Sequence, residues 1–171
     1  HLESSLLSPV EFALHAARHG TAAVVADPHE IANVAGLEGL EFILKQTRHL
    51  PLDIFVMVPS CVPATDMETS GSSIGPGDIA RLLQDHPGRI LGLGEMMNFP
   101  GVIHGDPMVL DKLLSARGKV VDGHAPGLSG LELNAYIVSG PETEHEAGSP
   151  EEAREKLRKG MHLQIRQGSS A

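Results

Sequence analysis

The sequence predicts an α/β fold in which parallel strands alternate with helices, as in a (β/α)8 barrel or an open sheet. Short apolar runs alternate with helical segments along the 171 residues. Each run gives way to a polar turn that contains Gly or Pro. This order predicts parallel strands joined by right-handed helical crossovers, with polar side chains collected at the strand ends.

Five short apolar runs predict strands, and two weaker candidates accompany them. The five runs span residues 21–26, 53–59, 89–93, 119–121 and 161–165. The weaker candidates lie at the very start of the chain and around residues 142–145. Counting the opening residues as a strand end gives seven strands, and an eight-stranded barrel needs one more at the C-terminus.

The predicted helices lie between the strands and carry recognisable start signals. They span residues 9–18, 37–49, 76–84, 107–117, 129–138 and 150–159. Ser8, Ser129 and Ser149 each precede a glutamate by three positions, so each fits a capping box at a helix N-terminus. Gly20 and Gly118 mark helix ends, where a left-handed residue is common.

The composition argues against several classes of protein. A net charge of −9 with scattered basic residues disfavours a nucleic-acid surface, which needs a concentrated basic face. The longest apolar run, residues 54–59, is too short to span a bilayer, so we expect no membrane partner. Cys61 is the single cysteine, which predicts a buried thiol and a reducing cytoplasm. Because the chain begins with His1, we expect residues 1–171 to be an internal segment that forms one incomplete barrel domain.

Three residues at successive strand ends form a candidate metal site. Glu95, His124 and His145 each lie where an apolar run gives way to a polar turn. The intervals between them fit one turn, one helix and the next strand, so the side chains can converge on one face. Histidine with carboxylate suits Zn, Mn or Fe(II), and a bound ion lowers the pKa of water toward neutrality. The competing interpretation is that each histidine caps a helix or faces solvent.

Two further regions hold weaker candidates. In the turn after the first of the five runs, Asp27 is explained as a helix N-cap and Glu30 as its capping-box partner. That interpretation leaves His29 without a structural role. Arg166 and Ser169 follow the last run and are expected on the same face, although a surface pairing explains Arg166 equally well.

Seven blocks spread over essentially the whole chain carry a family resemblance. They read HLESSLLSP, VVADPHEIANVAGLEG, FVMVPSCVPAT, LGLGEMMNFPGV, DGHAPGLSG, NAYIVSG and KLRKGMHLQIRQGS. With these blocks the sequence resembles the bacterial and archaeal adenine deaminases of the amidohydrolase superfamily. The resemblance implies a partial metal-dependent-hydrolase (β/α)8 TIM-like barrel, about strands 1 to 7, with the final strand missing. It also implies hydrolysis of adenine to hypoxanthine and ammonia by a cytoplasmic, homo-oligomeric parent protein.

The resemblance further implies a site with two divalent metal ions, Mn foremost and Fe or Zn as alternatives. Glu95 matches the glutamate that bridges the two ions, and His124 and His145 match the histidines after the fifth and sixth strands. His1 matches the second member of a His-x-His pair on the first strand. The first member of that pair and a final aspartate have no counterpart here, so we expect the chain alone to be inactive or nearly so.

Roles for neighbouring residues follow from the same resemblance. Glu146, beside the sixth-strand ligand, is a candidate catalytic residue that moves protons or fixes the purine, with orientation of His145 as the alternative. Four more residues near the same face are candidate substrate-binding residues: Glu3, Ser4, His29 and Glu30.

Two other functions stay open. Another amidohydrolase, acting on a cyclic amide or a different aminopurine, would keep the barrel and the metals and change only the substrate. A non-catalytic α/β binding module is the second alternative, because Gly92 and Gly94 hint at a nucleotide loop. Met97 stands where the third glycine of the dinucleotide fingerprint belongs, which weakens that alternative.

Overall fold

The strands of the protein are parallel and follow one another in the order of the sequence. The computed structural model describes residues 1–65 and 67–166. A four-stranded sheet contains β1 (Ala23–Ala26), β2 (Asp53–Val58), β3 (Ile90–Met96) and β4 (Val120–Gly123) in that order. A second sheet pairs β5 (Thr143–Glu144) with β6 (His162–Leu163). The parallel pairing of these strands confirms the predicted α/β class.

Helices connect the strands and cover one face of the sheet. They are α1 (Pro9–Arg18), α2 (His29–Gln46), α3 (Pro76–Asp85), α4 (Phe99–His104), α5 (Pro107–Ser115), α6 (Gly130–Val138) and α7 (Pro150–Arg158). Ser8 and Ser149 cap their helices as predicted, each accepting a backbone N–H bond of 3.2 Å, whereas Ser129 takes the N-cap position of α6 without a side-chain bond. Within residues 1–65 and 67–166, the helices lack the length and apolar character needed to cross a membrane.

The predicted strand at the start of the chain is wrong. Residues Leu2–Ser5 form a 3₁₀ helix, and the hydroxyl of Ser5 donates to the carbonyl oxygen of Leu2 at 2.7 Å. Serine side chains offer the backbone such local bonds and favour turns over strands. The part of the chain that the structure describes therefore holds six strands instead of seven.

One helix differs from its predicted start at residue 37, and one helix was not predicted. Helix α2 begins at His29, and Gly36 with φ 56° is a kink inside it. Helix α4 was not predicted and begins with Phe99 and Pro100. Its N-cap residue Asn98 accepts the N–H of Gly101 at 2.9 Å, which stabilises this short helix.

The two sheets meet where β4 approaches β5. The N–H of Glu142 donates to the carbonyl oxygen of Val121 at 2.9 Å, and the N–H of Gly123 donates to Oγ1 of Thr143 at 3.1 Å. A Cβ atom on Gly123 would lie 2.1 Å from the carbonyl oxygen of Thr143, so only glycine permits this approach. The six strands thus form one curled arc in sequence order, as in part of a barrel.

The main core lies between the sheet and the helices. Its buried members come from α2, α3, α5, α6 and the outward faces of the strands, and include Leu40, Ile43, Val56, Val58, Ile79, Leu93, Leu113 and Leu133. Each fully buried aliphatic side chain contributes about 1.5–3 kcal/mol of burial free energy. This core fixes the strands, and the polar turns at their carboxyl ends remain free to carry a site.

Candidate metal centre

Glu95 lies at the carboxyl end of β3 and is the centre of the cluster. Its side chain is nearly buried, and its two oxygens face different histidines. Oε1 lies 2.9 Å from Nε2 of His1. Oε2 lies 2.7 Å from Nδ1 of His124 and 3.0 Å from Nε2 of His145. The carboxylate therefore has one histidine on one side and two on the other.

The histidines reach Glu95 from three separate elements. His1 precedes the 3₁₀ helix, His124 follows β4, and His145 follows β5. The rings of His124 and His145 stand 5.3 Å apart between centroids, at an angle of 69°. The structure thus brings together the three strand-end residues singled out from the sequence, with His1 beside them.

The donor set fits a divalent cation. One ligand atom each from Glu95, His124 and His145 lies within 4.8 Å of the others. Nitrogen and oxygen ligands bound at about 2.0–2.2 Å from one ion stand roughly 3 Å apart, which matches the observed contacts. Imidazole with carboxylate is the combination that Zn, Mn and Fe(II) accept.

The cluster holds Glu95 as a carboxylate. Burial raises the pKa of Glu95, but hydrogen bonds from His1, His124 and His145 outweigh burial and hold the pKa far below its usual range. The same contact raises the pKa of His1 to about 9 and also raises that of His145. A cation therefore competes with protons for these imidazoles, since metal ligands must be neutral histidines.

The backbone of Glu95 is held from two neighbouring turns. Its N–H donates to Oδ2 of Asp27 at 3.0 Å, and its carbonyl oxygen accepts from the Ser60 hydroxyl at 2.6 Å. A Cβ atom on Gly94 would lie 2.2 Å from Oδ2 of Asp27. The predicted capping role of Asp27 is wrong, because its carboxylate turns toward Glu95 and Pro28 takes the N-cap position of α2.

Gly92 permits close strand packing and Gly94 leaves room for the Asp27 carboxylate, which explains both glycines without a nucleotide. A Cβ atom on Gly92 would lie 1.9 Å from the carbonyl oxygen of Val120 on the adjacent strand. Cys61, beside Ser60, is buried as expected, with its Sγ 3.1 Å from the Ser60 hydroxyl. Burial raises the pKa of the Cys61 thiol and keeps it inert.

The predicted substrate-binding residues surround His1. Oε2 of Glu30 lies 3.1 Å from Nδ1 of His1, and the Ser4 hydroxyl donates to Oε1 of Glu30 at 2.9 Å. Oε1 of Glu3 accepts the N–H of Ile31 at 3.0 Å. His29 is buried, with Nε2 2.7 Å from the carbonyl oxygen of Cys61. Their described contacts are thus with His1, with one another, with the Asp27 carboxylate and with the backbone.

A cavity of about 640 Å³ opens beside the histidines, within the range of small-molecule sites. Its described lining includes Glu95, Asp122, Glu146 and Arg166. Glu146 lies 3.7 Å from Nε2 of His145 and pairs with Arg166. Ser169 lies outside the described residues. A larger cavity of about 760 Å³, between the ends of α5 and α6, shares Val120 with this lining, and its described lining contains none of the histidines.

Sequence reasoning missed three buried polar residues that support the site. The Tyr136 hydroxyl accepts the N–H of His124 at 2.9 Å and donates to the carbonyl oxygen of Met96 at 2.7 Å. Glu144 and Lys156 form a buried ion pair of 2.7 Å below His145. The burial of Glu144 could have been expected from its place inside a predicted strand. Lys156 lies in a polar helix, and nothing in the sequence indicates that it is buried.

An arc of parallel β/α units with histidine and carboxylate ligands at its strand ends is the architecture of a metal-dependent barrel enzyme. The model of the amidohydrolase family matches residues 1–170, and the chain belongs to this family, whose members generally use divalent metal ions. The blocks identified in the sequence, from HLESSLLSP to KLRKGMHLQIRQGS, lie across this same region.

Similar proteins within the amidohydrolase family carry the name adenine deaminase. The chain is 56% identical over 170 residues to an adenine deaminase of Oleidesulfovibrio alaskensis, covering 99% of this chain and 30% of that protein. It is 56% identical over 172 residues to an adenine deaminase of Methanoregula boonei, with the same coverages. The chain therefore spans about 30% of the length of these relatives.

A solved structure shares the fold. The crystal structure of a mandelate racemase/muconate lactonizing enzyme from Jannaschia sp. CCS1 aligns with a TM-score of 0.53, at 14% identity. The alignment covers 93% of this chain and 43% of that one. At this identity the likeness concerns the fold alone, and it supports the barrel-like α/β arrangement.

Proposed function

We propose that the whole protein hydrolyses adenine to hypoxanthine and ammonia in a metal-dependent reaction. The observation that carries the proposal is the position of Glu95, whose two oxygens face His1 on one side and His124 with His145 on the other. The relatives named adenine deaminase, 56% identical over this segment, support the choice of substrate.

The proposed cofactor is a pair of divalent ions, with Mn foremost and Fe or Zn as alternatives. Glu95 would bridge them, His1 would bind one ion, and His124 with His145 would bind the other. Divalent ions supply Lewis acidity and make water nucleophilic near neutral pH. Because Oε1 and Oε2 of Glu95 already have separate histidine partners, the side chain needs no rearrangement to serve both sides.

Glu146 is the proposed proton carrier. In the reaction the oxygen of water adds to C6 of adenine, and the C6–N bond breaks after the amino nitrogen gains a proton. Glu146 lines the cavity, so its carboxylate can take the proton from water and deliver it to that nitrogen. Its distance of 3.7 Å from Nε2 of His145 also supports the alternative, in which it orients this ring.

The residues around His1 have a supporting place in the proposal. Glu30 holds Nδ1 of His1, and Ser4 holds Glu30. These contacts support orientation of the His1 ring more directly than contact with the purine. We retain purine contact as the proposed second role of this group, which comprises Glu3, Ser4, His29 and Glu30.

The wider setting of the chain belongs to the same proposal. Residues 1–171 would form part of one catalytic barrel domain, which the span of the family match supports. We also propose a homo-oligomeric parent protein in the cytoplasm. The buried, unpaired thiol of Cys61 supports the reducing location.

The proposal is tested by ammonia release from adenine in the full-length protein. Glu95→Gln should lower the rate at least about a hundredfold and reduce the bound metal, because metal ions supply several kcal/mol of transition-state stabilisation. Glu132→Gln, at an exposed position of α6, is the matched control and should keep the rate.

Two results would contradict the proposal in different ways. A normal rate in Glu95→Gln would exclude the bridging role. Inactivity of the wild type on adenine, with hydrolysis of a cyclic amide or another aminopurine, would keep the metal site and change the substrate.

A further inference from the structure

We infer that Lys156 and Glu144 are positioning residues that fix the position of His124 relative to His145. Both side chains are fully buried, and both lie just below the two turns that carry these histidines. Neither residue lines the cavity in the part of the chain that the structure describes. The inference rests on the metal site proposed above. It explains how two of the proposed ligands, His124 and His145, are kept at a fixed distance from each other.

Lys156 connects three segments through its ammonium group. Its Nζ donates to the carbonyl oxygen of Ala125 at 2.7 Å, to Oε2 of Glu144 at 2.7 Å and to Oε1 of Glu152 at 2.6 Å. A lysine has three N–H donors, so each has an acceptor. One helical side chain thereby joins the turn after β4 to β5.

Glu144 connects the same two turns through its carboxylate. Oε2 accepts the N–H of Ala125 at 3.0 Å, next to His124. Oε1 accepts the N–H of His145 at 3.0 Å and the N–H of Glu146 at 2.6 Å. The backbone on both sides is thus fixed by one buried group, directly beside each ligand histidine.

Glu152 extends this network toward solvent. Its Oε1 accepts the N–H of Gly127 at 2.8 Å, and its Oε2 accepts the N–H of Gly148 at 3.0 Å. These glycines lie three residues beyond His124 and His145. The beginning and the end of both ligand turns are therefore held by the same set of charges.

The network of Lys156, Glu144 and Glu152 holds the turn after β5, which strand pairing constrains only weakly. Strand β5 contains two residues and pairs with a two-residue strand, so its ladder constrains the following turn weakly. Buried ion pairs contribute little net stability, because desolvation offsets their attraction. Their geometric effect remains, and His124 and His145 both meet the same oxygen of Glu95, at 2.7 and 3.0 Å.

The test is a Co²⁺ titration of the metal-free full-length protein, read by the visible absorption of the bound ion, which reports its coordination geometry. Lys156→Met should weaken Co²⁺ binding by roughly 10–100-fold, the usual effect of removing a group that orients ligands. The absorption bands of the ion that remains bound should also shift.

Lys159→Met is the matched control. Lys159 lies on the same helix end, pairs with Glu155 four residues before it, as Lys156 does with Glu152, and donates to the carbonyl oxygen of Gly130. Gly130 begins α6 and lies outside the ligand turn. This variant should keep the affinity within about twofold.

Urea unfolding separates positioning from simple stabilisation. A cation that binds the folded state raises stability according to its affinity. If Lys156 positions the ligands, the increase in stability that a saturating Co²⁺ concentration produces should be about 1.4–2.7 kcal/mol smaller in Lys156→Met than in the wild type, which is the 10–100-fold loss of affinity expressed as free energy. If it only stabilises the fold, the variant is less stable with and without Co²⁺ by equal amounts, and the inference is overturned.

Three other outcomes of the Co²⁺ titration also test the inference. If Lys156→Met does not fold, Glu152→Gln takes its place and should weaken Co²⁺ binding at least about threefold. Unchanged binding in the folded variant would overturn the inference while leaving the metal site intact. Failure of the wild type to bind Co²⁺ would overturn the metal site itself and the inference with it.

Discussion

Glu95 and His145 meet at 3.0 Å but are held in place by different means. Glu95 lies on the seven-residue strand β3, which is paired on both sides in the four-stranded sheet. His145 follows the two-residue strand β5 at the junction between the sheets. At the end of the long strand, strand pairing together with the side chains of Asp27 and Ser60 places the candidate ligand, whereas at the end of the short strand buried charges take over this role.

The two regions should therefore respond to different changes. The approach of Asp27 to the backbone of Glu95 depends on an absent side chain at Gly94. The turn at His145 depends on the charges of Glu144 and Lys156. We expect the β3 region to be sensitive to added volume and the β5 region to lost charge.

The largest effect is expected from Gly94→Ala, because the new Cβ would lie 2.2 Å from the Asp27 carboxylate. The variant should lose about 3 kcal/mol of unfolding free energy through overpacking and loss of the bond to Glu95. Urea unfolding of the metal-free protein measures this loss.

Gly77→Ala is the control for that substitution. Gly77 lies in the first turn of α3, and its Cβ position has open space within 4 Å. Alanine there should be neutral or stabilising by up to about 1 kcal/mol. A loss below about 1 kcal/mol in Gly94→Ala would contradict the volume-sensitive character of β3.

An intermediate effect is expected from Tyr136→Phe, at the link between β3 and β4. Removing the hydroxyl leaves the N–H of His124 and the carbonyl oxygen of Met96 without their buried partner. The expected cost is about 2 kcal/mol of unfolding free energy, with weaker metal binding at His124. Chemical denaturation and Co²⁺ titration of the variant measure the two effects.

Ser139→Ala provides the comparison for Tyr136→Phe. The Ser139 hydroxyl donates to the carbonyl oxygen of Tyr136 at 2.7 Å and is partly exposed, so its loss should cost at most about 1 kcal/mol. Equal losses of unfolding free energy in the two variants would show that the Tyr136 hydroxyl does not stabilise the link between β3 and β4 more than an ordinary hydrogen bond does.

The smallest effect is an acid-dependent one at Glu152. Burial raises the pKa of Glu152, but Lys156 and the amides of Gly127 and Gly148 outweigh burial and hold the pKa below its ordinary 4.5. A lowered carboxyl pKa contributes stability that is present above pH 4.5 and is lost as the pH falls through the folded value. Glu152→Gln should therefore cost about 1 kcal/mol at pH 7 and progressively less as the pH falls below 4.5.

Urea unfolding across this pH range checks the prediction. Glu151→Gln, next to Glu152 on the exposed side of α7, is the control and should change stability by less than about 0.5 kcal/mol at every pH. A cost for Glu152→Gln that stays constant with pH would show that its charge does not hold the β5 region.

The clustering of Glu95, His124 and His145 was predictable because strand ends of parallel β/α units share one edge. The apolar runs before Glu95 and His124 predicted β3 and β4 to within three residues at each end, and serine caps predicted α1 and α7. The opening 3₁₀ helix was missed because local serine bonds compete with strand pairing, and few residues lie there to show a period.

The supporting contacts were not predictable, since they join residues far apart in sequence. Asp27 matched an N-cap signal, yet its carboxylate lies against the N–H of Glu95, 68 positions away. Lys156 lies in a polar helix, and nothing in a helix of that composition distinguishes a buried lysine from an exposed one. Only the tertiary fold reveals which polar residues the core encloses.

Cys61 gives this protein a built-in chemical reporter. Its thiol is enclosed beside Ser60 and Met96, in the same region that holds the backbone of Glu95. An alkylating reagent can reach it only when that region opens, so the labelling rate counts opening events. Cys61 is the single cysteine of residues 1–171, so mass analysis of the peptide that contains it follows the modification without an engineered probe. The alkylation rate of Cys61 therefore measures how often the β3 region opens, without any substitution in the protein.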